Sequence, residues 1–295
     1  MLIAVIYTGA TRTIESTIHH FKQNVLLHEN YHVFGVIQPD SNHELLIKNV
    51  IGDNLKSLQW LEKENAEWVS IRDRLVSSMN ILDRWKHYLR TSGSMIEYYQ
   101  LYLAYQALER YELEHGIKYD FVMRFRTDTV LKDVIDFDKI MDKEYIKKVL
   151  YEIKSKSSEN TLELLMNTFY NENRISYHNI EPSINRIELT DEEMIDYVRD
   201  GDYVVSIRKN IIYFMRRDMM TKIHKLGITY GQYTSDDEYW FNSESQLDNI
   251  CAKYNIDKFS STTVLEDSSL YRYNPARYYE NDELKGDYSF FIKRY

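Results

Sequence analysis

The sequence predicts an α/β fold, a mostly parallel central sheet flanked by helices, and three observations carry that prediction. Apolar runs of strand length alternate with longer stretches of helical period through the first half of the chain. The opening run leads through a turn and a helix into a second strand, the β-α-β order that gives parallel strands with a right-handed crossover. The residues best suited to chemistry follow directly after apolar runs, where open α/β sheets place their binding crevice.

Residues 2 to 7 form the first apolar run, closed by TGATRT, and Ile14, Ile18, Phe21 and Val25 then recur near helical spacing. YHVFGVIQPD reads as the second strand, ended by Pro39 and Asp40. From about Leu55 to Arg90 the pattern reads as helical, with Leu58, Leu61 and Trp68 among its apolar positions. SMIEYYQLYLAYQALERYELEHG is the clearest helix: Ser94 and Glu97 have capping-box spacing, Ile96, Tyr99, Leu103 and Ala107 share a face, and Gly116 terminates it. This helix delivers the chain into the apolar strand of YDFVMRFRTDTVLK. Beyond it the chain is charged and weakly periodic, and residues 154 to 160 read as a mobile surface segment. DGDYVVSIRKNIIYFMRRDMMTKIHKLG reads as a strand, Tyr203 to Ile207, followed by a helix ending near Gly227. TSDDEYWFNSESQLDNICAKYNI carries a second capping-box spacing at Ser235 and Glu238, and the last stretch is aromatic and basic.

Composition narrows the chemistry. A formal charge of -9 over 295 residues argues against nucleic acid as the main partner, because such proteins carry a basic excess that displaces phosphate counterions. The single cysteine, Cys251, excludes an internal disulfide and a thiolate zinc cluster, which fits a reducing compartment. The first residues lack the basic and apolar regions of a signal peptide, and no window approaches the roughly 18 apolar residues of a membrane span. The expectation is a cytoplasmic protein without a transmembrane segment.

Arg124, Arg126 and Asp128 alternate, so in an extended segment all three face one way. Arginine forks suit phosphate oxygens, and a carboxylate suits a divalent cation or ribose hydroxyls. The competing reading is an ion pair that fastens the strand end to a neighbouring helix. Thr8 and Gly9 form the turn after the first strand, and the lone Gly9 falls short of a G-x-G-x-x-G fingerprint. His19 and His20 are adjacent on a surface helix, where two neighbours do not converge on one metal. His178 reads as a hydrogen-bonded loop residue, and Asp202, at the head of a strand, as either structural or acceptor-binding. The Tyr271, Tyr273, Tyr278 and Tyr279 cluster reads as a tail packed on the domain.

YDFVMRFRTDTVL, preceded by a long helix ending in HGIK, resembles the centre of GT-A fold glycosyltransferases of the viral and bacterial surface-glycan type. DGDYVVSIRKNIIYF and YWFNSESQLDNICAKYNI resemble that family's later strand-helix and its late segment with a glutamate near a helix start. The resemblance covers residues 1 to 260 in outline, with R-x-R-x-D in place of the family's DxD. It implies a GT-A-like (Rossmann-like) single domain over 1–295: a nucleotide-binding half at 1–130, an acceptor half at 131–265 and a packed tail at 266–295. It further implies a hexosyl- or pentosyltransferase that takes a nucleotide-sugar donor and a glycan or other hydroxylated acceptor. Thr8, Gly9, Arg12, Arg124, Arg126 and Asp128 would bind the donor, with Asp128 as ligand to Mn²⁺ or Mg²⁺. Glu244, then Asp237, are the candidates for the general base that takes the acceptor's proton. A non-catalytic nucleotide- or glycan-binding protein on the same scaffold is the alternative. A nucleotidyltransferase is a third reading, without a glycine-rich phosphate loop to support it.

Overall fold

The computed structural model describes residues 1–39, 43–131, 142–155, 189–208, 211–230, 243–260, 279–280, 283–284 and 290–292. Seven strands form one sheet in the order β3-β2-β1-β4-β7-β6-β8. They are β1 (Ile3–Ala10), β2 (Tyr31–Gln38), β3 (Leu55–Trp60), β4 (Phe121–Arg126), β6 (Tyr203–Arg208), β7 (Ile212–Arg216) and β8 (Asp257–Ser260). All run parallel except β7, which pairs antiparallel with both β4 and β6. Among the described residues, no helix is long and apolar enough to cross a membrane.

Strand alternation splits the core into two layers. Ile3, Val5 and Tyr7 of β1, with Phe121, Met123 and Phe125 of β4, face α1 (Ile14–Asn24) and α2 (His43–Ile51). Their neighbours Ala4, Ile6 and Val122 face α3 (Ala66–Ser78), α4 (Asp83–Thr91) and α5 (Ser94–His115). Further along the chain, α6 (Lys143–Lys154) and α7 (Asp191–Asp200) join the first layer. A π-helical turn at Thr221–Lys225, α8 (Gly227–Tyr230) and α9 (Ser243–Lys253) join the second. The sheet is thus buried on both sides, as a parallel sheet with helical crossovers must be. A short β5 (Thr129–Leu131) pairs antiparallel with β11 (Phe290–Ile292), so residues 290–292 lie beside the segment that follows β4. The remaining strands, β9 (Tyr279–Glu280) and β10 (Glu283–Leu284), form a small hairpin.

Three local expectations are corrected. Residues 55–60 are the edge strand β3 rather than the start of a helix: Leu55 and Leu58 pack on the first core while the backbone pairs with β2. Residues 212–216 are a strand, not a helix. Ile212 and Phe214 bury on one face of the sheet and Tyr213 and Met215 on the other, so the run is apolar throughout and periodicity cannot separate helix from strand. The capping box of α5 is absent, because Gly93 is the N-cap and makes no side-chain bond. Glu97 instead turns onto the sheet. At the other end Gly116 closes the helix with φ of 63°, as expected. The surface segment at 156–160, the second capping box at 235–238, His178 and the tyrosine cluster's side chains lie outside the described residues.

Candidate functional site

The chain builds β1, β2 and β3 outward on one side of β1 and then crosses back to lay β4 on the other side. That reversal makes the carboxyl ends of β1 and β4 the topological switch point, where two connections leave in opposite directions and open a crevice. Register sets Thr8 beside Arg126 there, with Ile6 beside Arg124 one step deeper.

The first wall is the end of β1. Gly9 has φ of 137°, a conformation L-residues rarely adopt, and a Cβ at that position would collide with Thr127 Oγ1. The close approach is fixed by hydrogen bonds: Thr127 N–H donates to Thr8 O (2.9 Å) and Thr127 Oγ1 to Ala10 O (2.6 Å). Thr17 Oγ1 of α1 donates to Thr127 O (2.6 Å), which ties the second wall to the first helix. From α5, Gln100 Nε2 donates to Gly9 O (3.1 Å) and Val36 O (2.9 Å), so the helical turns before it overhang the strand ends. The N-terminus of α1 opens at this edge with Thr13 as an N-cap that makes no side-chain cap bond, and Arg12 beside it is exposed. Such a terminus presents the positive end of the helix dipole, with the Ile14 and Ser16 N–H groups already donating to Thr11 O (3.0 Å) and Thr13 O (3.1 Å).

The second wall is the end of β4. Arg124 is wholly buried, and its Nη2 donates to Glu97 Oε1 at 2.5 Å. Arg126 Nη1 lies 3.7 Å from the same oxygen, while its Nε and Nη2 donate to Asp128 Oδ1 (3.0 Å) and Oδ2 (2.6 Å). Both arginines therefore face α5, as the alternation predicts. They meet carboxylates of the chain itself, so the ion pair that fastens strand to helix is present. Among the described residues, two cations and two anions meet here, and their formal charges cancel. Beneath it, the Arg124 guanidinium lies 5.8 Å from the Tyr213 ring, and Tyr213 Oη is 2.7 Å from His224 Nε2 on the π-helical turn. Burial, aided by Arg124 and Arg217, holds the His224 imidazole well below its usual range, and burial raises the Tyr213 phenol. Both are neutral near pH 7.

The remaining candidates belong to the far half of the sheet. β8 runs with β1, and α9 packs against it after a short connection, so the start of α9 lies toward the carboxyl edge. Glu244 is the second residue of α9; its backbone is placed at that end. Asp237 lies outside the described residues. Asp202 precedes β6 and sits at the amino edge, where its carbonyl accepts from Asp257 N–H, so it does not reach the crevice. His19 is exposed on α1.

As a metal site, the residues present do not fit. Both oxygens of Asp128 are occupied by Arg126, and among the described residues no group of three or more His, Cys, Asp or Glu converges. A polar cavity of about 740 Å³ lies at the opposite, amino edge, lined by Asp120, Arg199 and Arg216 among others. Two of its cations are paired locally, Lys118 with Asp218 at 2.8 Å and Arg216 with Asp218 at 3.3 Å. Topology favours the switch point over this hollow. Glu97, Gln100 and Thr17 are the site residues that sequence reasoning missed. Gln100 alone left a signal: it is an amide on a helix side otherwise set by Ile96, Ala104 and Ala107.

No family model and no curated protein matches the chain.

Proposed function

We propose that this protein is a GT-A-like glycosyltransferase that binds a nucleoside diphospho-sugar at the β1/β4 switch point and transfers the sugar to a hydroxylated acceptor. The observation that carries the reading is the position of Thr8, Gly9 and Arg12 at one strand end and of Arg126 and Asp128 at the next, on either side of the topological reversal. The N-terminus of α1 supplies the positive end of its dipole, and the exposed Arg12 a cation, for a diphosphate. The acceptor oxygen would attack the anomeric carbon as the bond to the diphosphate breaks, with the acceptor's proton passing to Glu244. Charge gathering on the leaving diphosphate would be met by these fixed cations and N–H dipoles. No step is routed through a metal, because among the described residues no group of three or more His, Cys, Asp or Glu converges.

The clasp of Arg126 on Asp128 also suits a second reading, a binding protein without turnover. Thermal stabilisation by a panel of nucleoside diphosphates and their sugars, each with Mg²⁺, Mn²⁺ or chelator, tests binding, since a ligand of the native state raises apparent stability. Stabilisation by one nucleotide class, together with donor turnover lost in Glu244→Gln, is the expected result. Binding without turnover in any acceptor mixture would favour the binding protein, and no stabilisation by any member would refute both.

A further inference from the structure

We propose that Arg126 is the diphosphate-binding group of the crevice and that Asp128 is its built-in competitor, released when the ligand arrives. This rests on the nucleotide-sugar reading for the identity of the ligand, but its geometry stands alone. A guanidinium fork binds a carboxylate and a phosphate through the same two parallel N–H groups. In this chain the Nε and Nη2 of Arg126 are spent on Asp128, at 3.0 and 2.6 Å. Arg124 cannot substitute, because it is wholly buried and held by Glu97 at 2.5 Å. Arg126 is the member of the pair that keeps some solvent exposure, 19% of its side chain. The fork sits beside Thr8, at the mouth of the switch point.

The exchange follows from charge. Glu97 already balances Arg124, and Asp128 balances Arg126, so the network offers an incoming dianion no net attraction until one carboxylate gives way. Asp128 is the one able to do so. It follows the strand within the turn and, among the described residues, its carboxylate is held by the two hydrogen bonds from Arg126, whereas Glu97 is anchored on α5 between two arginines. Once released, the Asp128 oxygens become acceptors for the hydroxyls of a bound sugar or ribose. Asp128 would thus oppose the phosphate and favour the hydroxyls, which penalises a bare diphosphate relative to a full donor.

Titration of inorganic pyrophosphate, with chelator and in a parallel series with Mg²⁺, on the native chain, Asp128→Asn and Arg126→Gln, tests the assignment, with circular dichroism confirming that each variant is folded. Asp128→Asn keeps the shape of the side chain and removes its charge. It is expected to bind pyrophosphate about fivefold tighter, the size of gain that freeing one partly exposed pair delivers. Arg126→Gln should bind it at least about tenfold more weakly, as the loss of a bidentate charged fork implies. Asp128→Asn binding no better than the native chain overturns the proposal. So does pyrophosphate affinity that survives in Arg126→Gln, and so does Mg²⁺-dependent binding that disappears in Asp128→Asn, which would make Asp128 a metal ligand. Pyrophosphate behaving as expected while no nucleotide stabilises the protein would leave this anion site standing and remove the glycosyltransferase reading.

Discussion

Replacing Glu97 by Ala should cost more stability than any other single change at the crevice. The Arg124 guanidinium is 0% exposed, and its Nε and Nη1 have no partner among the described residues, so Glu97 carries nearly all of its compensation. The other favourable contact is the face of Tyr213 at 5.8 Å. Removing one member of a buried pair costs about 3–5 kcal/mol because the surviving charge stays buried, and the two unmet nitrogens place this case in the upper part, about 4–5 kcal/mol. For a chain of 295 residues that is roughly 6–8 °C in Tm, from an unfolding entropy of about 2.1 cal/mol/K per residue. Arg124→Met should cost less, about 1–3 kcal/mol, because Glu97 keeps 15% exposure and a second arginine 3.7 Å away. The double replacement Arg124→Met with Glu97→Met removes both charges and should fall well below the sum of the two single changes. Equilibrium urea unfolding of the three variants gives the comparison directly. A Glu97→Ala penalty under about 1 kcal/mol, or strictly additive single changes, would refute the argument that this carboxylate neutralises a buried cation.

Gly9→Ala combines a φ of 137° with a collision against Thr127 Oγ1, so a loss of at least about 1–3 kcal/mol in the same urea assay is expected; a variant as stable as the native chain would show that the strand ends have room to part. His32, hydrogen-bonded to Tyr119 Oη at 2.6 Å, supplies a pH dependence. Burial, with a contribution from Lys56, pulls its imidazole down to about 4 from the usual 6.5. Between those values the unfolded chain binds the proton and the native chain does not, so stability should rise with pH across the window and fall as pH drops through it. His32→Phe should flatten that slope, and identical slopes in the two proteins would exclude His32 as its source.

The opening β1-α1-β2 unit was legible because its elements each obey one period: Ile14, Ile18 and Phe21 repeat along α1, and the β2 run ends at a proline. The errors fell where burial erases the period. β7 is inserted between β4 and β6 and is covered on both faces, so its side chains are apolar without alternation. β3 is an edge strand whose residues are all half-buried, and LKSLQW carries neither a helical nor a strand stripe. At the site, the alternation Arg124-x-Arg126 did announce two arginines on one face, but their partners were invisible. Glu97 has the spacing of a cap, and only the position of α5 across the sheet turns it toward the arginines. Thr17 and Gln100 act on residues more than ninety positions away, contacts that no local pattern encodes.

That neutrality constrains any ligand of the crevice more tightly than the fold does. A site with an unpaired arginine attracts any anion, including inorganic phosphate, and would spend much of its time occupied by the wrong one. Here Arg124 and Arg126 each meet a carboxylate of the chain, and the exposed Arg12 and the N-terminus of α1 add only a weak, solvent-screened pull. A ligand must therefore repay the breaking of the Arg126–Asp128 pair with contacts that a bare anion lacks. A diphosphate joined to a sugar does so on both sides of the exchange, with oxygens for the freed fork and hydroxyls for the freed carboxylate. On the proposed reading, selectivity for the complete donor would arise from one ion pair at a strand end, where a pocket shaped to the sugar would otherwise have to supply it.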